Sequence, residues 1–137
     1  MNELIVDASL DKLDEVLEFV EGAMGALPPK ACMQLNIAVE EIFVNIASYA
    51  YAPEKGSVRI RAEEAPDGTI VVFLDGGVPY NPLEHRDPDI TLPAEQREIG
   101  GLGLLMAKKM TDEITYRYEN GMNILTVKKA APDGGVK

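Results

Sequence analysis

Asp75-Gly76-Gly77-Val78-Pro79 closes an apolar run, and its residue types suit recognition of a flat nitrogenous ring. A carboxylate at Asp75 can accept a hydrogen bond from an exocyclic amine, and Gly77, lacking a Cβ, lets a planar ring approach the backbone. Further on, Gly100-Gly101-Leu102-Gly103-Leu104 enters a helical pattern. Exposed N–H groups at a helix N-terminus, with glycines permitting close approach, make an anion site suited to phosphates. No Gly-Lys-Ser/Thr follows, so this is not a P-loop, and the strand, loop and helix order of a dinucleotide-binding unit is missing. Glu41 and Asn45 form a third group. At about 100° per residue they share one polar stripe with Gln34 and Ser48. Leu35, Val39, Ile42, Phe43, Ile46 and Ala50 make the opposite, apolar face, and Ile37 and Val44 flank the stripe. A narrow polar line between apolar borders suits a groove better than an open solvated face. Singly, each group has a plain explanation: a Glu and an Asn at i and i+4 are ordinary on a helix, and Asp-Gly commonly makes a turn.

The elements that must hold these groups follow from periodicity. Residues 2–7 alternate loosely and predict a short strand, after which Ser9 can cap a helix carrying Leu10, Leu13, Val16, Leu17 and Val20 and ending near Gly25. Pro28 and Pro29 open a longer helix that runs to about Tyr51 and stops before Pro53. Gly56 to Glu63 sets Val58, Ile60 and Ala62 against Ser57, Arg59 and Arg61, the pattern of a half-buried strand, and a Pro66-Asp67-Gly68 turn follows. Thr69 to Leu74 is apolar without alternation, which predicts a central strand covered on both faces or nearly so. Four prolines and no sustained period mark Pro79 to about Ile99 as a long surface loop. A helix over Leu102 to Met110 and strands over 112–119 and 122–129, joined through Asn120-Gly121, complete the order. The expectation is one α/β (α+β) domain over residues 1–130, with 131–137 a disordered tail. It is a two-layer sandwich whose mostly antiparallel mixed sheet is covered on one face by helices.

Composition narrows the function classes. A chain of 137 residues can bury one core without staples. The net charge of -10 opposes binding to a polyanion and leaves a basic protein as a possible partner. No apolar run approaches the roughly 20 residues of a membrane span, and acidic residues stand where a secretory signal carries positive charge, so the expected location is cytoplasmic. The lone Cys32 lies in an apolar helical stretch and reads as a buried, inert thiol. His85, the single histidine, falls in the long loop and reads as a solvated side chain.

The order of the motifs matters more than any one of them. Glu-x-x-x-Asn on a helix, Asp-x-Gly-x-Pro after a strand, a loop, then Gly-Gly-x-Gly into a helix resembles the ATP-binding fold shared by histidine kinases, gyrase, Hsp90 and the mismatch-repair ATPases, a Bergerat-type fold. Ala38 to Asn45, Asp75 to Pro82, and Gly100 through Glu113 with a closing Asn123-Ile124-Leu125-Thr126-Val127 are similar to the anti-sigma factor serine/threonine kinases, and the likeness covers about residues 2–130. That resemblance implies that Asn45 ligates a Mg²⁺ bridging the phosphates, and that Glu41 is the general base for the attacking hydroxyl. It implies that Asp75 reads the adenine amine, with Gly77 beneath the ring and Thr126 nearby through its hydroxyl. The backbone of Gly101, Leu102, Gly103 and Leu104 would hold the phosphates, and residues 82–99 would form a lid over ATP or ADP. Tyr49 stands where a His is frequent in these kinases.

The function so implied is ATP-dependent phosphorylation of a Ser or Thr on an anti-anti-sigma (STAS-type) partner by a protein that otherwise holds a sigma factor, and the resemblance also implies a homodimer. The alternative is a non-catalytic module that uses ATP or ADP to set its shape and sequesters a sigma factor or other regulator.

Overall fold

The computed structural model describes residues 2–51, 56–79, 81–84 and 103–131. The chain begins with β1 (Asn2–Asp7), passes a single 3-10 turn (Leu10–Lys12) and enters α1 (Leu13–Glu21), then the long α2 (Pro29–Tyr49). β2 (Ser57–Ala65), β3 (Gly68–Asp75), a short 3-10 turn (Pro82–Glu84), α3 (Gly103–Met110), β4 (Glu113–Glu119) and β5 (Met122–Ala130) follow. The predicted helix start at Ser9 is tighter than an α-helix: Ser9 is extended and makes no side-chain cap, its hydroxyl donating instead to Asp11 Oδ1. α2 starts with a proline in its first turn, where no intrahelical N–H bond is lost.

The five strands form one sheet in the order β1-β2-β3-β5-β4, and all four pairings are antiparallel. The β4–β5 hairpin turns at Asn120 (φ 54°) and Gly121 (φ 78°), the left-handed pair that an Asn-Gly dipeptide supplies cheaply. One face of the sheet carries the core. Val6, Val58, Ile60, Val71, Phe73, Leu125 and Val127 point from it into α1 and α2, where Val16, Val20, Leu35, Val39, Ile42 and Phe43 meet them. Each fully buried branched or aromatic side chain of this kind contributes roughly 1.5–3 kcal/mol, so the α2–sheet interface is the main apolar contribution to stability.

β3 is central, but only one of its faces is covered by helices. Val71, Phe73 and Asp75 are buried inward, whereas Ile70, Val72 and Leu74 keep partial exposure on the open face. The continuous apolar run predicts a strand covered on both faces or nearly so; among the described residues the neighbouring strands shade the outer side chains and no second layer of helices covers them. At the far end Ala131, the first residue of the expected tail, is packed instead, 3% exposed, with its N–H on Asp67 O at 2.7 Å; the rest of that tail, 132–137, lies outside the described residues. No helix among the described residues is long and apolar enough to cross a membrane.

Candidate functional site

Asp75 is the last residue of β3 and is 5% exposed. Strand alternation turns it to the helix side, in line with Val71 and Phe73. Its Oδ1 accepts the Gly77 N–H at 3.0 Å and Asn123 Nδ2 at 2.9 Å. Both bonds fall on Oδ1, so among the described residues Oδ2 receives no donor. Burial pushes the Asp75 carboxyl above its usual range, and the bonds from Asn123 and Gly77 pull it back. A buried carboxylate, fixed in orientation and short of one donor, fits an exocyclic amine.

Asn123 faces Asp75 across the β3–β5 ladder and is 7% exposed. Besides holding Asp75, its Nδ2 donates to Val78 O at 2.9 Å, and its Oδ1 accepts from the Tyr116 hydroxyl. It therefore ties the carboxylate to the loop that follows β3. The family resemblance implies Thr126 at this position, whereas the register puts Asn123 opposite Asp75. Thr126 pairs with Val72 and lies between the inward Leu125 and Val127, so its hydroxyl is on the open face of the sheet, away from Asp75. Alternation from Leu125 and Val127 was the signal that assigns Asn123, not Thr126, to the inner face.

Packing within the chain also requires Gly77. A Cβ built on it would stand 2.1 Å from the Ala50 carbonyl oxygen at the end of α2, and the adjoining Val78 N–H donates to that same oxygen at 3.0 Å. The glycine thus lets the loop lie directly on the helix end. Gly77→Ala is expected to destabilise the fold by about 1–3 kcal/mol through this clash, read as a lowered midpoint in thermal unfolding. An unchanged midpoint would contradict the packing.

Tyr51 fastens the same loop from the other side. Its hydroxyl accepts the Gly76 N–H at 2.7 Å and donates to Ser57 O at 2.6 Å, joining the end of β3 to the start of β2. Nothing in the sequence pattern singled it out. Tyr51→Phe removes both bonds and keeps the ring; the expected cost is about 1–2 kcal/mol in chemical denaturation, with nucleotide affinity reduced as the loop loosens.

Because α2 is continuous, it sets the spacing of the remaining groups. Counting back from Ala50 at 1.5 Å per residue, Asn45 lies about 7 Å and Glu41 about 13 Å along the axis. That span is on the scale of a nucleoside triphosphate. Asn45 is 8% exposed, and no hydrogen bond among the described residues engages its side chain. A buried amide with its oxygen uncommitted fits a hard cation such as Mg²⁺. Among the described residues no group of three or more His, Cys, Asp or Glu is placed to hold a metal ion, so such an ion would take its other ligands from phosphate and water, as Mg²⁺ commonly does.

Glu41 Oε2 accepts the Ala107 N–H of α3 at 3.1 Å. Desolvation raises its pKa to about 7; the Ala107 bond opposes the shift and the neighbouring Glu40 charge adds to it. Leu104 and Ala107 are buried, which seats α3 firmly and brings its first turn, beginning at Gly103, to the Glu41 end of α2. Gly100, Gly101 and Leu102 lie outside the described residues, as do His85 and the expected lid from 85 to 99. The lid's first residues, Pro82–Glu84, form a 3-10 turn held by Lys108 Nζ on Leu83 O at 3.1 Å, a contact the sequence did not signal. Tyr49 sits in the last turn of α2.

The arrangement is a buried, oriented carboxylate at one end of a helix, an uncommitted amide midway, and a carboxyl of raised pKa beside a second helix start. The chain is similar to the serine-protein kinase RsbW of Listeria monocytogenes, 29% identical over 105 residues that cover 72% of this chain and 66% of that protein. It is 23% identical to the serine/threonine-protein kinase BtrW of Bordetella bronchiseptica over 94 residues, 68% of this chain and 66% of that one. The chain thus spans just under two thirds of the length of these relatives. Among solved structures, the histidine kinase domain of the Erythrobacter litoralis EL346 blue-light activated histidine kinase superposes with a TM-score of 0.55 at 12% identity, covering 92% of this chain and 62% of that one. The Acinetobacter baumannii histidine kinase AdeS gives the same TM-score at 15% identity, with 97% and 69% covered, so both support the fold. The model of the histidine kinase-like ATPase domain matches residues 6–129, and with nearly the whole fold accounted for, the chain belongs to that family.

Proposed function

We propose that this domain binds Mg-ATP and transfers its γ-phosphoryl group to a Ser or Thr of a protein partner. The observation that carries the reading is Asp75, held through Oδ1 by Gly77 and Asn123 with Oδ2 left for a ligand, beside the helix that bears Asn45 and Glu41. Asp75 and the loop pinned by Tyr51 receive the adenine. Asn45 holds the cation, and the backbone from Gly101 to Leu104 takes the phosphates. Glu41 removes the proton of the attacking hydroxyl. When bound, Mg-ATP supplies the transferable group and the charge neutralisation that phosphoryl transfer chiefly needs. The relatives are named as serine or serine/threonine protein kinases, which favours protein phosphorylation; the resemblance of the motifs to anti-sigma factor kinases extends the proposal to an anti-anti-sigma (STAS-type) domain as substrate and a sigma factor as the protein otherwise held, in the cytoplasm.

Incubation with γ-labelled ATP and a cognate STAS-type domain is expected to place label on a Ser or Thr of that domain. Because Glu41 has a pKa of about 7, its basic form grows as pH rises, so the rate of transfer should climb between about pH 6 and 8 and then level. A profile flat across that range would remove Glu41 from the proton-transfer step.

One observation favours a second reading. Glu41 is already engaged by the Ala107 N–H, as it would be in a module that binds nucleotide only to set its shape and sequester its partner. Nucleotide binding without label transfer, in the presence of the cognate partner, would select it.

A further inference from the structure

A groove of about 480 Å³ runs between α1 and α2 on the side away from the sheet, lined by Leu17, Cys32, Met33, Asn36, Ile37 and Glu40. It uses a different stripe of α2 from Glu41 and Asn45. Its floor is apolar, and Met33 stands 57% exposed at its edge, an unbranched side chain suited to adapting to a partner. The rim is acidic. Glu40 lines the groove, Glu21 accepts from Asn36 within it, and Asp14 stands one turn before Leu17 on α1; all three are exposed, Lys12 and Lys30 are the bases within residues 8–40, and none of the three acids forms an ion pair among the described residues. Within the groove the Asn36 amide makes one long bond, to Glu21 Oε2 at 3.4 Å, and among the described residues its Oδ1 has no partner. An apolar slot with an uncompensated acidic rim is complementary to a helix that places apolar residues on one face and Lys or Arg along its margins.

We propose that this groove docks a basic amphipathic helix of a partner protein, with Met33 and Ile37 against its apolar face and the acids of α1 and Glu40 against its flanking bases. The proposal goes beyond the nucleotide site and does not depend on it.

The test is a titration of the full chain, carrying ¹³C-methyl methionine, with a short amphipathic Leu/Lys helix. Controls are the same composition in scrambled order and a Leu/Glu counterpart. The expected result is a saturable shift of the Met33 methyl with the Leu/Lys helix, weakened by salt. Binding should be at least about tenfold weaker for the scrambled peptide and for Met33→Lys, and retained in Met33→Leu. Because Met33 is exposed, neither substitution threatens folding. Equal binding of the scrambled or Leu/Glu peptide, no shift at Met33, or full affinity in Met33→Lys would overturn the proposal. The titration needs no nucleotide and should be unchanged in an Asp75→Asn background, so its failure and that of the ATP reading are separate results.

Discussion

Replacing Asp75 by Asn is expected to weaken ATP binding by at least about 100-fold without weakening the fold. The substitution keeps an oxygen that can accept the Gly77 N–H and the Asn123 amide, so the loop stays in place. At the free position it exchanges an acceptor for a donor, which meets the adenine amine donor to donor. A hydrogen bond to a charged acceptor contributes about 1.5–3 kcal/mol, and the opposed donors add to the loss. Stability should move the other way. Burial raises the Asp75 pKa in the folded state, so its protonated form is favoured there. The stability it offers is greatest below the unfolded pKa and is lost as pH rises through the raised folded value. Near neutral pH the ionised group is a cost that Asn removes. Calorimetric titration with Mg-ATP beside a denaturation curve reads both effects; a variant that binds as the parent does, or that unfolds more easily, would contradict this role.

Glu41→Gln should separate binding from chemistry. The amide oxygen of Gln can still accept the Ala107 N–H, so the contact between α2 and α3 persists, yet Gln cannot take a proton. Label transfer is expected to fall by about 10²–10⁴-fold, the usual contribution of a positioned general base, while ATP affinity stays close to that of the parent. The dependence of rate on pH should disappear with it. Were transfer to persist, the carboxyl would be holding α3 and nothing more.

How far the sequence alone reached depends on which physical signal each residue left. Period and punctuation located every described strand and helix: Pro28-Pro29 opens α2, Asn120-Gly121 turns the last hairpin, and Asp75 ends β3 where the apolar run stops. Asp75, Glu41 and Asn45 were legible because a polar residue at the end of a buried strand or in a line between apolar borders stands out. Thr126 was misplaced for want of a parity count from Leu125 and Val127, which puts Asn123 on the inner face. Gly77 was identified but explained by a ligand, whereas its neighbour across the missing Cβ is Ala50, 27 residues earlier in the chain. Tyr51 and Lys108 left no local trace. Their partners, Gly76, Ser57 and the Leu83 carbonyl, are backbone groups brought near by the fold, and backbone groups have no sequence signature.

Asp75 and the polar stripe of α2 together form the proposed adenine nucleotide site. Isothermal titration of the full chain with Mg-ATP tests it most directly. One saturable site per chain is expected, lost in Asp75→Asn and kept in Glu41→Gln. Absence of saturable binding to the parent chain, or equal binding by the Asp75→Asn variant, would contradict it.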